Sequence, residues 1–346
     1  MVKVTVSHYP VLTGACTIAI SFGILVWGMT MAVNTGKYEI AQQISRAAFL
    51  QGTAAALAAT PVGFSFDAKA GSSMLTRTIP SSGKPLPVIG LGTWQTFDVG
   101  TGAAERAPLS EVLKTLFDAG GSVIDSSPMY GRSENVVGDL LDGAASHSKA
   151  FLATKVWTRG KSNGIEQMER SFRLMRTKHI DLMQVHNLVD WQIHLDTLKG
   201  WKADGRVSYL GVTHYTPSAF DELEAVMRAE KLDFVQLNYA IDDRAAEKKL
   251  LPLAQDRGIA VLVNRPFGGG GALGRLKGKE LPGFAGELGC TSWAQVLLKF
   301  IVSHPAITCA IPGTRKPAHM KDNVQAGMGA LPDKAMRETI AAAVSE

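Results

Sequence analysis

Asp125, Tyr130, Lys155 and His186 are the residues of this chain whose types and spacing could do chemistry. They stand in VIDSS and the PMYG that follows it, in FLATKVW and in IDLMQVHN, each at or just past the end of an apolar run that reads as a β-strand. An acid, a phenol, an amine and an imidazole at one rim make a proton-transfer site. The reaction that needs this set is hydride reduction of a carbonyl. As hydride reaches the carbonyl carbon, charge builds on oxygen and a proton must arrive there. A phenol can supply it if its ordinary pKa near 10 is lowered. The charge of Lys155 would lower it, Asp125 would hold that ammonium, and His186 would donate a hydrogen bond to the carbonyl oxygen. Taken singly, each residue has a structural alternative: Asp125 a turn cap, Tyr130 a rim aromatic, Lys155 a solvated strand end, His186 a core histidine. Their recurrence at three successive strand ends favours the chemical reading.

The elements that must position them form a regular alternation from about Lys84 onward. Strand-like runs occur at PVIGLGTW, GSVIDSS, AFLATKVW, HIDLMQVHN, VSYLGVTH, LDFVQLNYA, GIAVLVNRP and AITCAIPG. Between them lie helix-patterned stretches such as LSEVLKTLFDAG, ENVVGDLLDG and WAQVLLKFIVSH, several ending in glycine as a left-handed cap requires. Eight such units predict a (β/α)8 TIM barrel, whose active site lies at the carboxyl ends of the strands. An open doubly wound sheet is the alternative, but no G-x-G-x-x-G follows the first strand. Gly268 to Gly271 instead follow the seventh strand, in a loop where phosphates often dock.

Composition limits what that rim serves. With 46% hydrophobic residues in 346, the chain can bury a large core. The +5 net charge is modest, and Lys and Arg form no stripe interleaved with aromatics, so nucleic acid is not an expected partner. Cys16, Cys290 and Cys309 have neither disulfide-framework nor metal-ligand spacing, and no metal is expected; Cys309, inside AITCAIP, reads as a buried inert thiol. Residues 1–75 differ from the barrel segment, taken as 84–335. Val11 to Val33 carry no charge and are long enough for a transmembrane stretch. Ser45-Arg46-Ala47-Ala48-Phe49-Leu50, an apolar stretch and Ala68-Lys69-Ala70 follow, like an export signal that lacks a second arginine at Ala47. Membrane attachment through the N-terminus and export are therefore expectations. A start at Met29 or Met31 would remove the apolar run, and an inactive signal would leave a cytoplasmic protein.

From about Pro85 to Ala330 the chain resembles the aldo-keto reductase family, through LGTW, VIDSS followed by PMYGRSENVVGDLL, ATKVW, RSFRLMRTKHIDLMQVHN, DGRVSYLGVTHY, VQLNYA and IPGTRKPAHMKDN. The resemblance implies NADPH-dependent reduction of aldehydes and ketones, with NADH as the alternative cofactor and a small-molecule carbonyl as substrate. The family's Asp, Tyr, Lys and His tetrad matches Asp125, Tyr130, Lys155 and His186. Its nicotinamide contacts map to Thr213, His214 and Gln236, where His214 departs from the family's Asn. The position of the stacking aromatic holds Asn264, followed by Arg265 and Pro266. Gly313, Thr314, Arg315, His319 and Asn323 match the segment that grips the adenosine phosphate, Arg315 and His319 suiting a 2′-phosphate. Trp94, Trp157 and Asn187 match substrate-pocket positions, with rim packing as their alternative role. Only Leu331 to Glu346 follow the stretch that resembles the family, which implies an open pocket and broad preference. A redox-sensing regulatory barrel at the membrane is the competing reading, and a cofactor-independent barrel hydrolase or lyase a third. The sequence leaves the physiological substrate, the direction of flux and the oligomeric state open.

Overall fold

The computed structural model describes residues 15–22, 25–32 and 73–345. Contacts divide the chain into residues 1–68 and 69–346, each considered by itself. In the first unit β1 (Ala15–Phe22) and β2 (Leu25–Ala32) pair antiparallel, Ala15 opposite Ala32 and Phe22 opposite Leu25. This hairpin lies within the uncharged run Val11 to Val33. The run is rich in β-branched residues, Thr17, Ile18, Ile20, Val26 and Thr30, which favour a pleated surface. Among the described residues no helix is long and apolar enough to cross a membrane. The signal-like residues 45–70 lie outside the described residues.

The second unit opens with a hairpin, β3 (Thr76–Thr78) and β4 (Pro85–Pro87), which the sequence pattern does not foretell. Its Ile79 and Leu86 pack into one cluster with Val123, Ala153, Leu182, Tyr209, Phe234, Leu262 and Cys309. The hairpin thus stoppers the end of the barrel where the strands begin. Ser82 Oγ and Tyr209 Oη, 2.8 Å apart, tie it down.

The eight expected strands form: β5 (Leu91–Gly92), β6 (Val123–Asp125), β7 (Phe151–Val156), β8 (Ile180–His186), β9 (Val207–Thr213), β10 (Phe234–Asn238), β11 (Ala260–Asn264) and β12 (Cys309–Ala310). They are parallel and adjacent in chain order. Bridges Ile89 to Ala310 and Gly92 to Gly313 join the last strand to the first. The result is the ring of a (β/α)8 barrel. Helices α1 (Ala103–Asp118), α2 (Ser133–Gly143), α3 (Lys161–Leu174), α4 (Trp191–Ala203), α5 (Phe220–Ala229) and α6 (Leu250–Asp256) fill the successive crossovers. Two short helices, α7 (Gly271–Leu276) and α8 (Phe284–Glu287), precede α9 (Trp293–Val302), whose N-terminus Ser292 caps by accepting from Gln295 N at 3.1 Å. The glycines read as helix stops, Gly120, Gly205 and Gly258, all have positive φ. Cys309 is buried in the barrel interior, where desolvation pushes its thiol pKa up and keeps it inert.

After β12 come α10 (Pro317–Gln325) and α11 (Lys334–Ser345), so the packed unit extends past residue 335 at one end and before residue 84 at the other. Buried Arg337 clamps α11 down, donating to Tyr239 Oη at 2.7 Å and to Phe300 O. Ring closure depends on a side chain being absent. A Cβ on Gly92 would stand 2.8 Å from the carbonyl oxygen of Ile311, a backbone atom that cannot rotate away. Gly92→Ala should therefore destabilise the barrel by roughly 1–3 kcal/mol. A urea midpoint equal to that of the wild type would refute this account of closure.

Candidate active site

The two-residue period of a strand decides which side chains meet. On β6, β7 and β8 the outward residues Ile124, Leu152, Val156, Met183 and Val185 join the core beneath the helices, while Val123, Ala153 and Leu182 fill the barrel interior. Asp125, Lys155 and Gln184 share the inward phase one layer further along, and His186 follows one layer beyond Gln184. Lys155 is fully buried, and its Nζ donates to Asp125 Oδ2 at 2.6 Å and to Ser126 O at 2.6 Å. The other carboxylate oxygen, Asp125 Oδ1, accepts from Gln236 Nε2 at 2.8 Å and Gln184 Nε2 at 3.3 Å. Thr93 at the end of β5 donates its hydroxyl to Asp125 O and Ser126 Oγ, both at 3.0 Å. This seam fixes the start of the loop that carries Tyr130.

Tyr130 stands half-buried over the ammonium, with Lys155 Nζ 5.0 Å from its ring centroid. His186 meets the same ring edge-on at 5.8 Å between centroids. Gly131 turns the chain at φ 61°, and a Cβ there would lie 2.4 Å from Asp98 Oδ2, so glycine lets Arg132 N donate to Asp98 Oδ1 at 3.1 Å. The acid, phenol, amine and imidazole are thus together, as their strand-end positions predict.

Their protonation departs in one respect from the sequence expectation. Burial pushes the Tyr130 phenol above its ordinary value, and the opposing pull of Lys155 only partly offsets it. The charge of Lys155 acts in the expected direction, but desolvation is larger. Burial disfavours the Lys155 ammonium, yet Asp125 and Tyr130 outweigh it and raise its pKa. His186 is lowered to about 2 by burial, then by Lys155 and His214, so its imidazole is neutral.

A second set of groups borders the tetrad. Thr213 Oγ1 donates to Gln236 Oε1 at 3.3 Å, and Asn264 Nδ2 reaches the same oxygen and His214 O, each at 3.4 Å. The tautomer of His214 is set by its neighbours: Nδ1 accepts from the backbone N–H of Tyr215 at 3.0 Å and Thr216 at 3.3 Å, which leaves the proton on Nε2. Arg265 has φ 48° and stands over the Tyr215 ring at 5.9 Å, with Pro266 buried behind it. Across the mouth, Gly313 pairs with Gly92, Thr314 Oγ1 accepts from Lys316 N at 3.0 Å, and Arg315 donates to Gln95 O at 3.0 Å. His319 is exposed on α10 and Asn323 is buried on it. Trp94 and Trp157 are half-exposed at the rim, Trp157 6.4 Å from His186 between ring centroids. Asn187, Leu188 and Asp190 all hold positive φ directly after His186, a concentration of strain typical of binding loops. Among the described residues no cluster of His, Cys, Asp or Glu could hold a metal ion.

The family model "Aldo/keto reductase family" matches residues 88–343. The chain belongs to the aldo/keto reductase family. It is 29% identical over 246 residues to the methylglyoxal reductase YeaE of Escherichia coli K12, covering 69% of this chain and 84% of that one. An aldo/keto reductase from Klebsiella pneumoniae, solved with NADP and acetate, superposes with a TM-score of 0.66 at 25% identity, covering 77% of this chain and 94% of that chain. A second structure from the same organism, solved with NADPH, gives 0.67 at 24% identity, with 79% and 95% covered. This aldo/keto reductase is therefore an oxidoreductase acting on carbonyl groups.

Three contributors to the reductase site were not singled out in the sequence. Gln184 is detectable in retrospect, because it lies two residues before His186 and hence on the same face of β8. Glu134 accepts from Thr154 Oγ1 at 2.6 Å behind Lys155, with its carboxyl pKa raised by burial, and nothing in the helical pattern of α2 marks it. Ser127 looks like part of a turn ahead of Pro128, yet it is fully buried with its Oγ 2.9 Å from His186 Nδ1.

Proposed function

We propose that this chain reduces aldehydes and ketones to alcohols with NADPH, Tyr130 donating the proton. The observation that carries the reading is the fully buried Lys155 ammonium, paired with Asp125 and lying under the Tyr130 ring, with neutral His186 on the other side of that phenol. The residues present suit a nicotinamide nucleotide. The Nε2–H of His214 offers a donor and Thr213 Oγ1, whose proton goes to Gln236, an acceptor beside the tetrad, while the buried Asn264 Oδ1 has no partner among the described residues and can accept from an amide. With Asn264 in place of an aromatic, the ring would be held at that position by hydrogen bonding rather than stacking. Gly313, Thr314 and the N-terminus of α10 suit phosphate, and Arg315 can exchange the Gln95 carbonyl for a 2′-phosphate, with His319 and Asn323 on the same helix. Arg265 and Pro266 would border the nicotinamide side, and Trp94, Trp157 and Asn187 the carbonyl substrate.

Bound NADPH supplies hydride to the carbonyl carbon. His186 donates a hydrogen bond to the carbonyl oxygen and holds it beside the Tyr130 hydroxyl. As charge develops on that oxygen, Tyr130 passes its proton to it, and Lys155 stabilises the phenolate left behind. Asp125 keeps the ammonium in place. The relatives named as reductases give no support to a regulatory, non-catalytic barrel. The first unit is proposed as a separate N-terminal segment; sequencing the mature N-terminus in membrane and soluble fractions tests attachment and export.

The pH dependence of NADPH oxidation with an aromatic aldehyde tests the site directly. His186, lowered to about 2, should contribute no acid limb between pH 5 and 7, and the raised Tyr130 should stay protonated past its ordinary value of 10. Absence of NADPH turnover would refute the proposed reaction, and an acid limb near pH 6.5 that disappears in His186→Asn would refute a neutral histidine. The same histidine makes folding pH-sensitive. Because its folded pKa lies below its ordinary 6.5, the stability it permits is full above that value and is lost as pH falls towards 2.

A further inference from the structure

We propose that Ser127 is a positioning residue that fixes the tautomer of His186, directing the single ring proton to Nε2 where the carbonyl oxygen must be bound. The inference rests on the reading of the site given above and concerns a residue not otherwise assigned there.

A count of protons decides the tautomer. A neutral imidazole carries one N–H, and its place depends on what the other nitrogen meets. Nδ1 meets Ser127 Oγ at 2.9 Å, and both residues are buried. A serine hydroxyl can donate once and accept twice. Ser127 Oγ also receives the backbone N–H of Met129 at 3.4 Å, a contact in which it can only accept. Among the described residues its one proton has no acceptor other than His186 Nδ1. Nδ1 therefore accepts and Nε2 carries the hydrogen. Nε2 makes no hydrogen bond among the described residues, and the ring stands between Tyr130 and Trp157 at the mouth. The opposite tautomer would aim a lone pair at the carbonyl oxygen, repelling the charge that develops there instead of stabilising it.

The position of Ser127 is itself well fixed. Ser126 N donates to Ala153 O at 2.8 Å, and Tyr130 N donates to Ser127 O at 3.0 Å. The same turn thus places the proton donor and orients the imidazole beside it. Ser127 need not touch substrate; it acts through His186.

The test uses the full chain labelled with 15N-histidine, with His186 assigned by its loss in His186→Asn. Long-range proton–nitrogen correlation should show His186 with a pyridine-like Nδ1 and a pyrrole-like Nε2. A pyrrole-like Nδ1 in the wild type would overturn the proposal, and this reading needs no variant to fold. Ser127→Ala should mix the two patterns and lower kcat about tenfold, the size of one lost hydrogen bond at a developing charge. Its Kd for NADPH, from quenching of protein fluorescence, should be unchanged. Ser127→Thr keeps the hydroxyl and should restore both the wild-type pattern and most of kcat. An alanine variant with wild-type tautomer and wild-type kcat would overturn the proposal. Absence of NADPH turnover in the wild type would instead refute the reaction, because the tautomer is read without substrate.

Discussion

Tyr130→Phe should lower kcat for carbonyl reduction by about 10²–10⁴-fold, the range that a positioned general acid contributes. The substitution removes one oxygen and leaves the ring over Lys155 Nζ and against His186, so the packing of the mouth is kept. Affinity for NADPH should stay within about twofold, since the phenol hydroxyl is not among the groups proposed to hold the nucleotide. Transition-state stabilisation is then lost while ground-state binding remains, and the fall appears in kcat rather than in Kd. Fluorescence titration with NADPH and steady-state kinetics on the same preparation separate the two. A variant that retains a tenth or more of wild-type kcat would mean that another group delivers the proton.

Asp125→Asn should destabilise the fold by roughly 3–5 kcal/mol, the cost of stranding one member of a buried ion pair. Three donors converge on this carboxylate: Lys155 Nζ on Oδ2, and the amides of Gln184 and Gln236 on Oδ1. An asparagine offers one acceptor and one donor, so one of its ends must face an N–H. Turning the Gln236 amide would relieve this only by giving up its contacts with Thr213 and Asn264. The Lys155 ammonium would lose the charge that overcomes its burial and would tend to deprotonate. Catalysis should fall with stability, because the phenolate formed at Tyr130 would lose its counter-charge. Urea denaturation measures the first effect, and the double variant Asp125→Asn with Lys155→Met should be more stable than the single one. A single variant within about 1 kcal/mol of wild type would show that the pair contributes little. In the wild type the sign of the linkage is fixed. Lys155 is raised above its ordinary 10.5, so its contribution is full below that pH and is lost as pH climbs through the raised value.

The four tetrad residues were legible because Asp125, Lys155 and His186 stand at strand ends with Tyr130 in the loop after the first of them, and the order of the strands in the chain is their order in the ring. The convergence follows from topology alone. Its inner partners were less legible. Gln184 reads as an ordinary polar residue in an apolar run and Gln236 as a nicotinamide contact, and only the inward phase of β8 and β10 brings both amides to one carboxylate. Ser127 is one of two adjacent serines, and sequence does not say which of them turns inward to histidine. The apolar run at Val11 to Val33 was less determinate. Hydropathy marks it as uncharged but does not choose between helix and hairpin, and its β-branched content pulled towards strands.

Electrostatics marks the limit of the sequence reading most clearly. That Lys155 lowers the pKa of Tyr130 follows from its charge, yet the net direction is upward because burial contributes more. Desolvation depends on how much protein surrounds a group, and no local pattern reports it. The proton on His214 likewise depends on where the Tyr215 and Thr216 amides point. By itself the sequence determined the barrel, the family and the identity of four groups at one rim, because two-residue alternation and strand order are properties of the chain. The tertiary structure alone decided how burial and neighbouring charge act on those groups and which buried donors brace them, because these depend on the distance and dielectric between residues far apart in the chain.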